Sequence, residues 1–547
     1  MSTPFSPDQS PHVEALRGLA LTSDVVGYSA DPVFAWNRDR DPARRVVLAS
    51  GGGAGHEPMH AGFLGRGGLD VAVPGEVFTS PHNGQIVAGV QQVARSGDEV
   101  LLIVKNYTGD VINFAIAAER LTADGCRVAT VLVEDDLGSE GAAVGRRGTG
   151  ATVVIEKILG AAADAGDGLE ELQRLGEAVA ERSRSLAVAR ASHTRPGGGA
   201  GFEVGDGLLE YGVGIHGETA AETIEDPGLE ALVERMVNEL LDALGEAEHG
   251  HLVMVNGLGG VSNLELAHIS ARVAEVMADR DAPVASLVSG TFISALDMRG
   301  FSITVTAVDD PGWIDHWLAP HATALPRPVA AGVVEPHQGA TDESAGSRES
   351  SAWLDDLAEQ FAALRDPLNA LDQRTGDGDL GTNIAQGLSR AARRGGGDLG
   401  SELASMAGAF LDEVGGSSGP LFGLVLSEIA RTAGDGAGPR DLGRGLRSGV
   451  EAVRRVGGAE PGDRTMVDAL APAAEREALD AEAVAAAVEG AESTRTMTAR
   501  RGRASYLGER VLGTPDPGAV AAALLLRSIA ERSGADLGDL DTAALLD

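Results

Sequence analysis

Arg45-Val46-Val47-Leu48-Ala49-Ser50-Gly51-Gly52-Gly53-Ala54-Gly55-His56-Glu57-Pro58 is a short apolar run that ends directly in a glycine turn. A run of that length suits a buried strand, and the glycines let the backbone turn sharply and admit a ligand close to the main chain. The shape recurs along the chain. Residues 100–105 (VLLIVK) run into Asn106-Tyr107-Thr108-Gly109-Asp110, and residues 127–133 (RVATVLV) stop at Glu134-Asp135-Asp136. Helical spacing fills 83–96 and 111–124. Strand, glycine turn and helix in repetition predict a parallel α/β sheet whose ligands lie outside the carboxyl ends of its strands. Helices are expected to continue over 153–165 and 169–189.

After the Pro/Gly-rich turn at 192–201 the pattern changes. Strands are expected near 204–211, 252–262, 285–289 and 301–308, with a helix over 226–246, and form a second, smaller α/β subdomain. The first half is thus α/β, residues 1–326, in subdomains of about 1–190 and 191–326. Residues 327–350 are rich in Pro, Gly, Ser, His and Glu and read as a linker. Beyond them strand signals almost vanish. Stretches 352–371, 383–394, 399–414, 421–433, 441–456, 467–474, 481–498 and 517–532 have Ala/Leu-rich helical spacing, so residues 351–547 read as an all-α half.

Bulk properties narrow the function. Net charge is −37, which argues against nucleic acid or an anionic membrane as partner. The single cysteine, Cys126, excludes an intramolecular disulfide and fits a reducing cytoplasm. Neither a signal peptide nor a membrane-spanning run is apparent.

In the helical half, Asp372-Gln373-Arg374-Thr375-Gly376-Asp377-Gly378-Asp379-Leu380-Gly381-Thr382-Asn383 sets three carboxylates among glycines. Clustered carboxylates repel, so such a set points to a hard cation, with Mg²⁺ bridging to phosphate as one reading. An acidic turn or a calcium loop is the alternative, although no Glu ends the segment as an EF-hand requires. Gly415-Gly416-Ser417-Ser418-Gly419 precedes a helix and suits either an anion or simple capping. In the first half, the Gly51–Pro58 turn lacks the Walker pattern. His56, Lys105 and Asp110 fall at neighbouring turns and form a plausible proton-handling set, or a surface ion pair. His216, flanked by glycines in Val213-Gly214-Ile215-His216-Gly217-Glu218, is either an accessible nucleophile or a turn histidine bonded to Glu218.

Together these strings resemble the dihydroxyacetone kinase family in its single-chain, ATP-dependent form. GGGAGHEP, GEVFTSP, KNYTGD, GIHGE, NGLGG and SALDMRGFSIT are similar to its substrate-binding half. GDGDLGTN, GGSSGPLFG, DRTMVDAL, GRASYLGER and DPGA are similar to its nucleotide half. The resemblance covers nearly the whole chain and implies phosphorylation of dihydroxyacetone, or of a C4 ketose such as erythrulose. A non-catalytic ketose-binding regulator is the other class within reach, and FMN-cyclase-type lyase activity is known in some relatives. It further implies a homodimer, an antiparallel eight-helix barrel for the second half, and two Mg²⁺ with ATP as co-substrate.

Residue by residue, the resemblance makes His216 the group that holds the ketose as a hemiaminal and Asp110 and His56 the groups that activate its hydroxyl. Gly53, Ala54, Gly55, His56, Lys105 and Asp110 match substrate-binding positions, and Asp372, Asp377 and Asp379 match the metal carboxylates. Leu380, Gly381, Thr382, Asn383, Ser417, Ser418, Gly457, Thr465, Met466, Arg503, Asp516, Pro517 and Gly518 match nucleotide contacts. Three positions depart from the pattern: Ala54 for the common Ser, Leu380 for His or Thr, and Arg464 for Lys. The usual opening motif of the N-terminus is also absent.

Overall fold

A computed structural model describes residues 11–195, 199–218, 220–332, 350–434, 436–501, 503–538, 540 and 542–546. The chain divides into two compact units, Met1–Glu335 and Pro336–Asp547. Among the described residues no helix is long and apolar enough to cross a membrane.

The first unit is built on two six-stranded sheets. Helix α1 (Pro11–Thr22) leads into a hairpin, β1 (Val26–Ala30) and β2 (Val33–Asn37), followed by β3 (Val46–Ala54), β4 (Val71–Val77), α2 (Asn83–Val93), β5 (Glu99–Lys105), α3 (Thr108–Ala123) and β6 (Arg127–Val133). The strand order is β1-β2-β4-β3-β5-β6. Strands β4, β3, β5 and β6 run parallel, and the hairpin joins them antiparallel through β2. All nine residues of β3 are buried, as expected of a central strand covered on both faces.

Helix α4 (Ala151–Asp164) packs against β5 of this sheet and against the second sheet, while α5 (Leu169–Glu181) covers β6. The second sheet comprises β7 (Ser183–Ala191), β8 (Leu208–Tyr211), β9 (Glu222–Glu225), β10 (His251–Gly257), β11 (Val284–Gly290) and β12 (Arg299–Ala307), in the order β11-β10-β12-β7-β8-β9. Only β10 and β11 pair in parallel. Helices α6 (Leu229–Leu244) and α7 (Asn263–Asp279) line one face, and α8 (Pro311–Leu318) packs on α4.

The helix expected over 169–189 ends at Glu181, and Ser183–Ala191 is a strand. Its alanines suggest a helix, but Leu186 and Val188 enter the core under α6 and α7, whereas Ala187 and Ala189 enter the core shared with α4. Two-residue alternation between two cores therefore outweighs intrinsic propensity. Strands β1, β2, β4 and β9 and helix α1 are further elements that the sequence reading did not pick out.

The second unit is helical: α9 (Ala352–Ala363), α10 (Arg365–Thr375), α11 (Leu380–Arg394), α12 (Leu399–Glu413), α13 (Ser418–Thr432), α14 (Pro439–Gly457), α15 (Met466–Ala474), α16 (Ala481–Ser493) and α17 (Pro517–Arg532). The expected 352–371 helix breaks at Leu364, and the expected 481–498 helix stops at Ser493 before a 3₁₀ turn, Thr494–Thr496. From α10 to α17 successive helices are neighbours, and α17 packs back on α10, which closes a ring of eight with α9 against α11. The expected linker lies largely outside the described residues.

Candidate functional site

Two groups of side chains stand out, one in each unit. The first forms where the carboxyl ends of β3 and β5 meet loops of the second sheet. Gly55 is tied there by its carbonyl, which accepts from Leu296 N at 2.9 Å and Ser294 Oγ at 3.1 Å. His56 follows, fully buried, with Nδ1 2.8 Å from the Ser294 carbonyl. A carbonyl only accepts, so Nδ1 is the protonated nitrogen and Nε2 is a bare acceptor, which has no hydrogen-bond partner. Burial first, then the charges of His216 and Lys105, push this imidazole well below its ordinary pKa and keep it neutral.

His216 lies edge-on to His56, Phe78 and Tyr107, with ring centroids 4.6, 5.5 and 4.5 Å away. Its Nδ1 is 3.0 Å from Glu218 Oε1, and its backbone N–H donates to Glu218 Oε2 at 3.0 Å. Burial opposes ionisation of Glu218, but the hydrogen bond and charge of His216, with Arg147, outweigh it and lower the carboxyl to about 2. An ionised Glu218 accepts from Nδ1–H and fixes the orientation of the ring. The reading of His216 as a turn histidine bonded to Glu218 therefore holds, and that bond orients the ring.

Lys105 ends β5, completely buried, and Asp110 lies in the first turn of α3 with Oδ2 3.9 Å from Lys105 Nζ. Gly52 makes this approach possible, since a Cβ there would stand 2.2 Å from Nζ. Asp110 Oδ1 and Tyr107 Oη, like His56 Nε2, are buried without a partner. Each unmet buried polar atom costs about 1–3 kcal/mol. Three of them in one group of side chains indicate a small polar ligand. Gly53 lies against the backbone of Phe78, and the Ala54 carbonyl accepts from Phe78 N at 2.9 Å. His56, Lys105, Asp110 and His216 are thus brought together.

Residues not singled out from sequence complete the surroundings. Phe78 stacks on His56 at 5.1 Å, and His193 lies edge-on to Phe78 at 4.9 Å. His60 and Glu156 stand behind Lys105. Glu156 had a signal in the sequence: a charged pair, Glu156-Lys157, interrupts a helix otherwise apolar on every side. A cavity of about 460 Å³ is lined by Gly52, Gly53 and His60 together with His12, Leu16 and Leu19 of α1, and includes neither His216 nor Asp110.

The second group gathers at one rim of the helical ring. Carboxylate oxygens of Asp372, Asp377 and Asp379 all lie within 4.8 Å of one another. Asp372 Oδ2 accepts from the backbone N–H of Gly378, Asp379 and Leu380 at 3.0, 3.0 and 3.2 Å, and so caps α11. Three close anionic oxygens suit a hard divalent cation such as Mg²⁺. Asp379 Oδ1 holds Asn383, and Thr382 exchanges two hydrogen bonds with Asn369.

Four helix N-termini face this rim. Gly416, before Ser417 and Ser418 of α13, presents its Cβ position 4.0 Å from Asn383 of α11, near Gly381. Gly457 sits 3.4 Å from Leu421 by the same measure, and Gly518 sits 3.7 Å from Met466. Thr465 caps α15, and Asp516 caps α17 immediately before Pro517. Burial raises the Asp516 carboxyl to about 6, Arg464 lowers it, and the charges of Asp468 and Asp372 add to the rise. Unmet N–H groups and aligned dipoles make such a rim receptive to a polyphosphate. The side chain of Arg503 lies outside the described ones.

The departures have structural readings. Leu380 turns its side chain into the core while its N–H faces Asp372. Arg464 is buried at positive φ, donates to Thr514 O at 2.8 Å and lies 4.0 Å from Asp516.

Comparison with known proteins assigns both halves. The Dak1 domain model matches residues 17–325 and the DAK2 domain model residues 374–531. Human triokinase/FMN cyclase is 36% identical, over 95% of this chain and 97% of the relative. L-erythrulose 1-kinase of Mycolicibacterium smegmatis is 34% identical, over 95% and 97%. Among solved structures, the dihydroxyacetone kinase from C. freundii in complex with AMP-PNP and Mg²⁺ matches with a TM-score of 0.64 at 31% identity, covering 97% of this chain and 99% of that one.

Proposed function

The chain belongs to the single-chain dihydroxyacetone kinase family, and from that premise we propose that it transfers the γ-phosphoryl group of ATP to dihydroxyacetone. The observation that supports this most directly is His216, with Nδ1 engaged by Glu218 and its ring edge-on to His56 and Tyr107, whose Nε2 and Oη are buried without a partner. Nε2 adds to the ketose carbonyl carbon, the C=O π pair becomes an alkoxide lone pair, and the Nδ1 proton passes by way of Glu218 and water to that oxygen, giving a neutral hemiaminal. Glycerol has no carbonyl and is rejected by this step.

Asp110 accepts the proton of the terminal hydroxyl, the resulting oxygen attacks the γ-phosphorus, and ADP departs. The bare Nε2 of His56 accepts a substrate hydroxyl, and Lys105 pairs with Asp110 at 3.9 Å. Asp372, Asp377 and Asp379 would hold Mg²⁺, which when bound neutralises phosphate charge. The helix N-termini at Ser418, Met466 and Pro517 bind the remaining phosphate oxygens.

A C4 ketose is the second reading, favoured by the likeness to the erythrulose kinase and by Ala54, whose methyl leaves more room than a serine hydroxyl. ATP consumption with dihydroxyacetone, both erythrulose enantiomers, glyceraldehyde and glycerol tests both. Turnover with dihydroxyacetone and none with glycerol is expected. Equal turnover of glycerol would remove the hemiaminal.

A further inference from the structure

Lys105 is held from behind by two groups that phosphoryl transfer does not itself use. Its Nζ lies 2.7 Å from His60 Nε2 and donates to the Gly51 carbonyl at 2.9 Å. His60 Nδ1 lies 2.6 Å from Glu156 Oε1, and Glu156 Oε2 has no partner. All three side chains are buried. An ammonium donates and cannot accept, so His60 accepts at Nε2 and donates from Nδ1 toward Glu156. The line Asp110–Lys105–His60–Glu156 joins α3, β5, the segment after β3, and α4.

The charges facing this line are few. They are Lys105 and Asp110 themselves, the imidazoles of His60 and His56, and the hydroxyl of Ser50 on β3. Burial drives both imidazoles to the neutral form. Two carboxyls then share one ammonium in a dry pocket, and full ionisation would leave one uncompensated anion.

We propose that Glu156, acting through His60, is a positioning residue that directs the Lys105 ammonium toward Asp110 during the kinase reaction. The inference rests on the kinase reading. Glu156 resolves the charge conflict by retaining its proton: burial raises its carboxyl to about 8, against the opposing pull of Ser50 and Lys105. Above that pH a second anion competes with Asp110 for the same ammonium.

The test is the pH profile of kcat for the full-length protein and Glu156→Gln, with ketose binding measured calorimetrically without nucleotide. Gln is neutral at every pH and keeps an oxygen to accept from His60. The wild type is expected to lose about tenfold in kcat per pH unit above the transition, and the variant to keep its rate there, with ketose affinity unchanged. His60→Asn should lower kcat at neutral pH and leave ketose binding within about threefold, a split that loss of folding would not give. Superimposable profiles for wild type and Glu156→Gln overturn the proposal. A wild-type profile with no alkaline limb overturns it without any variant. Absence of ketose-dependent ATP turnover in the wild type at every pH would instead overturn the kinase reading, and the relay's catalytic role with it.

Discussion

The two sites solve opposite electrostatic problems. In the α/β unit, His56, His60, Lys105, Asp110 and Glu156 are almost fully buried, and several of their polar atoms are left bare. In the helical unit, Asp377 and Asp379 are exposed, and the rim is a scaffold of helix N-termini around open carboxylates. A dry pocket suits a small uncharged sugar that must be recognised by geometry. A wet, acidic rim suits a cation that brings a highly charged co-substrate with it. The difference teaches that burial, more than residue type, separates the tasks, since both sites use aspartates.

The sharpest way to break this contrast is His216→Ala. We expect ketose-dependent turnover to fall by roughly 10³-fold or more while nucleotide binding to the helical unit is unchanged. Substantial residual turnover would demote His216 to a wall of the pocket. Asp377→Asn should raise the Mg²⁺ concentration needed for half-maximal rate about tenfold or more and leave ketose affinity alone, as titration of the rate with Mg²⁺ would show. Asp372→Ala should do the same and also destabilise α11 by about 0.5–2 kcal/mol through loss of its cap, measurable by denaturant unfolding.

Acid should separate the units further. His56 and His60 have lowered pKa values in the fold, so the unfolded chain binds more protons below about pH 6.5 and the α/β unit loses stability as pH falls through that value, at up to about 1.4 kcal/mol per pH unit for each ring. Asp516 is raised to about 6, so its cost is relieved as pH falls through 6, and the described residues of the helical unit contain no histidine. Hydrogen exchange at about pH 5.5 against about pH 7.5 should show lost protection in β3 and β5 and none lost in α17. The smallest effect is expected for Arg464→Lys, which keeps the charge near Asp516 and loses only carbonyl contacts. A change in rate above about threefold would show that the guanidinium does more than pack.

Much of this was legible in the sequence, for definite reasons. The strands ending at Ala54 and Lys105 declare themselves because apolar runs stop in glycine turns, and the three aspartates because their spacing is dense. Strand β7 did not, because its alternation serves two cores at once and its alanines suggest a helix. Glu156 left only a partial signal, a charged pair in an apolar helix, because tertiary packing alone shows that this helix is covered on every side. His216 was half legible: a bond to Glu218 could be read from the spacing, while the ring's place against His56, Phe78 and Tyr107 had to be seen.

The closure of the helical ring has a consequence for biosynthesis. Asp372 is translated well before Pro517, yet the two stand on helices that touch only when the ring is shut. A nascent or C-terminally clipped chain that lacks α17 can already have made every residue of the sugar pocket, but it has an unfinished rim. Under the kinase reading proposed above, such a chain would bind ketose and spend no ATP.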